Sequence, residues 1–437
     1  MKTNSFTVLA VGRAVLCVPQ SAASVALGKS GAHGVTHPTW FALLCAAALF
    51  THVTFAASGP KPPPPPQPSS GTLVLSYPNG SDWGLTVAPS GMIYAVGNNY
   101  PDDGYWKQLV LASGDSGNSW SLLDEFAPPG TFVDFWFGLG GGIASDSAGN
   151  LYVSGVIHDY AGAQPNQWYV RRSTDGGANW STVDEFAMTA AAFGSNIDDI
   201  GITVDPAGDV YTAGLDFYSL DSNFHYDWIV RKGVGGTSFS TLDILPNSSP
   251  KDVFVHSTAG IFVVGQTKIT NKSATSWAWL VRRSTNGGAT WSNVDTFQLA
   301  SSKSAVAMGI SANASGLYVV GHAYNVNKGV TSSHWIVRKS TNGGNSWTTV
   351  DNYQLLADNS SQARCVATDA NGNLVVAGSG ASKWIVRKSA GGTGPWTTVD
   401  VFQNGGSVTT PNAIAGDVSG NIFVGGNDGA NWLIKKY

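Results

Sequence analysis

Short apolar runs and glycine-rich turns alternate along the chain from Leu73 to Tyr437. Ile202-Thr203-Val204, Val210-Tyr211-Thr212-Ala213-Gly214 and Trp168-Tyr169-Val170-Arg171 are typical. β-Branched and aromatic residues fill these runs, and Gly, Asn, Asp or Ser punctuate them, so each predicts a strand. Two runs joined by so tight a turn predict a hairpin. No long amphipathic helical pattern appears.

The pattern is periodic. The phrase from Trp168 to Asp184 returns from Trp279 to Asp295 and from Trp335 to Asp351. Weaker copies run from Trp228 to Asp243 and from Trp384 to Asp400. A divergent first copy ends at Asp124, and the last stops early, at Trp432-Leu433-Ile434-Lys435-Lys436-Tyr437. A second phrase precedes each and ends at Gly97, Gly155, Gly214, Gly265, Gly321, Gly378 and Gly426, spaced by 48 to 59 residues. Two hairpins per repeat make a four-stranded sheet, and a repeat of this length is a propeller blade. The expectation is an all-β, seven-bladed β-propeller, with strands a to d numbered outward from the axis. The seventh repeat lacks strand d, whereas Leu73-Val74-Leu75-Ser76-Tyr77 has no repeat of its own. Placed beside strand c of the last repeat, this N-terminal strand closes the ring and leaves no inner edge unpaired.

The turn between strands c and d reads Ser-x-Asp-x-Gly-x-x-Trp. Ser113 to Trp120 and Ser173 to Trp180 match it fully, and Ser284 to Trp291 and Ser340 to Trp347 match with Asn for Asp. This phrase resembles the Asp-box, or BNR repeat, of sialidases and related propellers. The resemblance covers nearly everything after residue 70 and is specific for fold rather than activity. It implies a structural role for Asp115, Asp175, Asn286 and Asn342, which cap the turn, and for Trp120, Trp180, Trp291 and Trp347, which pack beneath it.

A sialidase site would need three arginines on a carboxylate, a Tyr nucleophile with a Glu partner, and an Asp acid/base. After Arg13 the chain has eight arginines, and seven sit in the strand-c phrase: Arg171, Arg172, Arg231, Arg282, Arg283, Arg338 and Arg387. Only Arg364 lies outside it. The Arg-Ile-Pro motif of sialidase domains is absent. Strand d carries a matching acid at Asp124, Asp184, Asp243, Asp295, Asp351 and Asp400, so Arg–Asp pairing within or between blades is expected, with Leu111 replacing the first arginine. Carboxylates available for glycoside hydrolysis include Asp102, Asp103, Asp134, Asp198, Asp199 and Asp216, with no spacing that brings two together. One ring uses the whole chain, which leaves no room for a two-propeller xyloglucanase arrangement.

In a propeller the b–c and d–a connections share one face, and here they are long and variable. They are rich in aromatics and His: Tyr100, Trp136, His158, Tyr160, Tyr218, His225, Tyr226, Trp277, His322, Tyr324 and His334. Such side chains suit stacking on sugar rings or gripping a peptide. The expected function is therefore a non-enzymatic binding propeller that recognises glycans or a surface protein. The alternative is a sialidase-like exo-glycosidase with a diverged active site, and a third reading is a structural propeller serving an assembly. Convergence of carboxylates and an arginine at the channel mouth would distinguish the enzyme.

Charged residues are 12% of the chain, with net charge -4, which argues against a nucleic-acid partner. There is no Cys/His cluster with zinc spacing, no phosphate loop and no nucleotide fingerprint, so no metal or cofactor is expected. Residues 1–57 read as a signal region: the apolar run from Trp40 to Phe50 is too short to span a bilayer, and Phe55-Ala56-Ala57-Ser58 suits a signal peptidase. An uncleaved anchor is the rival reading. Residues 58–70 form a proline-rich linker, and residues 71–437 the propeller. The mature protein is expected to be secreted or periplasmic and monomeric, with Cys365 its only thiol.

Overall fold

The computed structural model describes residues 71–99, 107–127, 135–137, 141–159, 167–187, 200–220, 223–271 and 274–437, with backbone alone for 135–137, 158–159 and 219–220. The described residues form seven antiparallel sheets arranged as the blades of a β-propeller. The strands of blade 4 are Ser248–His256, Gly260–Asn271, Ala274–Ser284 and Ser292–Phe297, and those of blade 5 are Ala305–Asn313, Gly316–Asn327, Val330–Ser340 and Thr348–Tyr353. Blade 2 departs slightly, because its inner strand comes as two pieces, Phe135–Phe137 and Ile143–Ser145, both paired to Leu151–Asp159. Blade 7 joins the two ends of the ring: Thr72–Pro78 pairs with Asn431–Lys436, with Thr72 opposite Lys436 and Pro78 opposite Asn431. Among the described residues no helix is long and apolar enough to cross a membrane.

The blades are held by a repeated seam. The strand-c tryptophans Trp168, Trp228, Trp279, Trp335, Trp384 and Trp432 are fully buried. Each indole reaches a strand-b glycine of the following blade: Gly214, Gly265, Gly321, Gly378, Gly426 and, across the closure, Gly97. A Cβ on Gly378 would sit 2.6 Å from the Trp335 ring and 2.0 Å from a backbone oxygen, so only glycine fits. In blade 1 the tryptophan position is Gln108, whose side-chain amide instead donates to the Ser154 carbonyl at 3.0 Å.

An ionic ring lies outside the indoles. Each strand-d aspartate meets the strand-c cation of the next blade: Asp124 with Arg171, Asp184 with Arg231 at 2.6 Å, Asp243 with Arg282 at 3.0 Å, Asp295 with Arg338 at 2.6 Å, Asp351 with Arg387 at 3.0 Å and Asp400 with Lys435. Pairing is thus between blades, and this explains Leu111. Its partner strand is the closing strand, and there Leu75 packs in one cluster with Leu111. An aromatic two residues beyond the acid carries the cation on its face: Phe126 under Arg171 at 4.0 Å, Phe297 under Arg338 at 4.3 Å and Tyr353 under Arg387 at 3.8 Å. Burying such pairs costs desolvation that nearly offsets their attraction, so their value lies in fixing register rather than in net stability. An apolar pair at one seam is accordingly tolerated. Removing one partner alone would cost about 3–5 kcal/mol, because the other charge stays buried.

The Ser-x-Asp-x-Gly-x-x-Trp turns lie on the outer c–d hairpins. In the turn after strand c of blade 2, Ser173 Oγ donates to Asp175 Oδ1 at 2.8 Å, and the same oxygen accepts the Asn179 N–H at 2.9 Å. Asn286 and Asn342 accept the equivalent N–H groups of Thr290 and Ser346 at 2.9 and 3.0 Å. Trp180, Trp291 and Trp347 each donate Nε1–H to the box glycine carbonyl at 3.0–3.1 Å, whereas Trp120 does not. The donors around Asp115 and Asp175, first Ser119 and Asn179, hold both carboxyls down to about 2.

Asp82 interrupts the seam pattern. It occupies the inner-strand position that holds Pro250, Ala307, Ala363 and Pro411 in blades 4 to 7, and it is fully buried between blades 7 and 1. Neither carboxyl oxygen meets a hydrogen-bond donor in good geometry. Burial pushes its pKa well above the carboxylate range, and the adjacent Trp432 indole offsets part of that rise. A carboxyl whose pKa is raised by folding binds its proton in the native state while the unfolded chain releases it. Stability is therefore full below the unfolded value near 3.8 and falls as pH rises toward the folded pKa. Asp82→Ala, which copies Ala307 and Ala363, should melt with the wild type below that value and several degrees above it at pH 7. Thermal melts of both proteins from pH 3 to 8 check this; parallel curves would refute it.

Candidate functional site

The site is built by a backbone irregularity in the inner strands. Registers shift between Asp82 and Gly84, Pro250 and Asp252, Ala307 and Gly309, Ala363 and Cys365, and Pro411 and Ala413. Each shift leaves one extra residue, and a bulge re-aims its side chain. The extra residues are Trp83, Lys251, Met308, Arg364 and Asn412, and all five line one cavity of about 180 Å³ on the ring axis. Blades 2 and 3 contribute Gly141 and Ile200 at the corresponding positions. The bulges fall in the first half of each inner strand, so the residues lie toward the face that carries the b–c and d–a connections.

The next position along each inner strand is small: Gly84, Gly142, Gly201, Gly309 and Ala413. Blade 4 places Asp252 there and blade 6 places Cys365, and both line the cavity. Asp252 Oδ1 accepts the Val253 N–H at 2.8 Å and Oδ2 accepts the Ile310 N–H of blade 5 at 3.0 Å. These bonds pin the carboxylate to the channel wall. Burial pushes the Cys365 thiol up, so it is a packed and unreactive group. Arg364 Nε and Trp83 Nε1 are buried donors with no hydrogen-bond partner. Arg172 Nε and the strand-c indoles share this property, so what sets Arg364 and Trp83 apart is the cavity they line.

His322, on strand b of blade 5, adjoins this cluster. Its Nδ1 is buried and without a partner. Burial, with the nearby Arg364 and Lys251 cations, brings its pKa down to about 4, so the imidazole is neutral at pH 7. The channel mouth thus assembles a carboxylate, an arginine and a lysine, with the Trp83 indole as an apolar surface and the neutral His322 imidazole within reach of the Arg364 and Lys251 charges. Among the described residues no group of His, Cys, Asp and Glu is arranged to hold a metal.

Most of the aromatic candidates lie elsewhere on the same face. The b–c connections of blades 3, 4 and 5 are not loops: their strands run on to Leu220, Asn271 and Asn327, because alternating Phe, Tyr, Ile, Val and Thr continue the ladder. Tyr218, His225, Tyr226, Trp277, His322, Tyr324 and His334 are therefore strand residues, as are Trp136 and His158, which pair with each other. Tyr218 stacks on His225 with centroids 4.9 Å apart, and Tyr226 meets Trp277 edge-on at 5.4 Å with Lys268 4.2 Å above the Tyr226 ring. Tyr324 lies against His322 at 5.9 Å, and His334 turns outward to Asn352 at 2.7 Å. None of the aromatic and His candidates whose side chains are described lines the cavity, and His322 meets the cluster only through the charges of Arg364 and Lys251. Tyr100 and Tyr160 lie outside the described residues, as do Asp102, Asp103, Asp134, Asp198 and Asp199. Asp216 is buried in strand b of blade 3.

Sequence reasoning missed Lys251, Asp252, Trp83 and Asn412. Two signals could have found part of the set: Arg364 stands outside the strand-c phrase, and Asp252 breaks a run of small residues at one position of the repeat.

No family model matches the chain. A Paenibacillus xyloglucanase is 25% identical over 265 residues, which is 52% of this chain but 24% of that protein, so the chain spans about a quarter of its relative's length. The α-L-arabinofuranosidase Arb93A of Fusarium graminearum superposes with a TM-score of 0.50 at 11% identity, covering 82% of this chain and 92% of that one. This likeness shows a shared fold. Penicillium chrysogenum α-L-arabinanase (TM-score 0.47, 11% identity, 84% and 98% covered) and Trypanosoma rangeli sialidase (TM-score 0.45, 10% identity, 85% and 60% covered) are also similar in structure. The expectation of a non-enzymatic binding propeller does not stand against the sequence comparison, because the relative it finds is a xyloglucanase. The reason it failed is physical: it rested on arginines consumed by the seams and did not foresee the bulges that turn Arg364 and Lys251 into the channel.

The imidazole supplies a direct check on this geometry. In an NMR titration His322 should change charge near pH 4, and Arg364→Met should move its midpoint upward. A midpoint at the ordinary 6.5 in the wild type would place His322 outside the cluster.

Proposed function

We propose that the chain is a glycoside hydrolase that works at the channel mouth of a single propeller. The observation that carries this reading is that the Arg364 guanidinium, the Lys251 side chain and the Trp83 indole line the same cavity as the Asp252 carboxylate. The inter-blade arginines are neutralised by aspartates, so the Arg364 guanidinium is distinct in facing a cavity. The carboxylate would act on the scissile bond as acid, base or nucleophile, Arg364 and Lys251 would hold polar groups of the ligand, and Trp83 would carry a sugar face. The similarity to a xyloglucanase supports a polymeric plant-type glycan as substrate. Sialidase chemistry fits less well, because among the described residues Arg364 is the sole arginine lining the cavity. In the same reading the Ser-x-Asp-x-Gly-x-x-Trp turns are Asp-boxes, and residues 1–57 direct the enzyme outside the cytoplasm, where such glycans are met.

Asp252→Asn keeps one acceptor for the Ile310 or Val253 N–H and removes the acid. It should lower kcat/KM on a hydrolysed glycan by roughly 10²–10⁴-fold, with a melting temperature only a few degrees lower because one backbone N–H loses its acceptor. Unchanged kinetics would remove Asp252 from the chemistry.

A further inference from the structure

The rim of the loop-bearing face is uneven. In blades 3, 4 and 5, strand b runs six residues beyond the seam glycines Gly214, Gly265 and Gly321 before it turns. In blades 6 and 7 it ends at Gly380 and Asn427, two and one residues beyond Gly378 and Gly426. Over this low sector lies a cleft of about 470 Å³, lined by Asn359, Ser360, Gln362, Ser379, Ser382 and Thr410 together with Gly380, Ala381 and Val408. Among the described residues no charged side chain lines it. Its size falls in the range of small-molecule sites, roughly 300–1,000 Å³.

The cleft and the channel are lined from the same two inner strands. Gln362 stands two residues before Arg364 on strand a of blade 6, and Thr410 two residues before Asn412 on strand a of blade 7. Gln362 and Thr410 line the cleft, while Arg364 and Asn412 line the channel. Two adjacent inner strands thus present one side chain to each compartment, at a spacing of two residues, or about 7 Å. Hydroxyls and carboxamides offer both donors and acceptors without a net charge, which matches the alternating hydroxyls of neutral sugars.

From this we infer that the cleft over blades 6 and 7 binds neutral glycosyl residues, so that a chain threaded from the channel mouth leaves across this low rim. The inference rests on the glycan-hydrolase reading for its ligand class, but its test reads binding alone. The full chain carrying Asp252→Asn would be titrated calorimetrically with a neutral xyloglucan oligosaccharide, with arabinobiose, and with an oligogalacturonide as the charged counterpart. Binding of a neutral probe is expected, and Gln362→Leu and Thr410→Val, both close in shape to the native side chains, should each weaken it about five- to tenfold. Melting curves of the two variants confirm that they fold. Binding of neither neutral probe, preference for the charged one, or an unchanged Kd in both variants would overturn the inference. Hydrolysis by the wild type with an unchanged Kd in the variants would overturn the cleft and leave the enzyme standing. Loss of binding in the variants without hydrolysis by the wild type would do the reverse.

Discussion

Everything in this ring depends on one close approach, the strand-c indole of each blade resting on the strand-b glycine of the next. A Cβ at those glycines would meet the ring at 2.6–2.9 Å, so the contact permits no side chain and fixes the spacing between blades. It recurs at six of the seven seams, and these tryptophans are the largest fully buried side chains in the ring. The ionic ring outside it sets register and takes little part in net stability. The two exceptions fall at seams that flank blade 1: Gln108 replaces an indole on one side, and Leu75 with Leu111 replaces an ion pair on the other. Each seam retains one of the two devices, which is enough to hold the circle.

A rigid circle makes a small irregularity consequential. The inner strands have the weakest pattern of the four, and those of blades 1, 4, 5, 6 and 7 carry a bulge just below the rim. Because five bulges fall at one level, their extra side chains meet on the axis, and residues distant in sequence become neighbours. The repeated seam contacts do not involve those positions, so Trp83, Lys251, Met308, Arg364 and Asn412 differ from blade to blade as the repeated positions do not. Asymmetry of the rim then gives the axis a direction, with three tall hairpins on one side and a polar cleft on the other.

The ring itself was legible from the sequence. Blade number, strand order and closure follow from the period of the Trp phrase, the Gly at the end of each strand b and the orphan strand at Leu73–Tyr77. The Arg–Asp pairing was legible too, and Leu111, which seemed an exception, identifies the direction of pairing between blades. The site was less legible for a specific reason. A bulge shifts the alternation of a strand by one, so Lys251 and Asp252 read as adjacent charges on an ordinary strand, with nothing to show that both face the cavity. The aromatic row was seen but mislocated, since a long polar-aromatic connection reads as a loop until its two halves are found to pair.

The central claim is that this cavity cleaves glycans. The most direct measurement is the appearance of new reducing ends when the full chain is incubated with xyloglucan and with arabinan, beside the Arg364→Met variant. The account predicts steady accumulation with the wild type on at least one polymer and none with the variant. No accumulation on either polymer, or equal accumulation by both proteins, would contradict it.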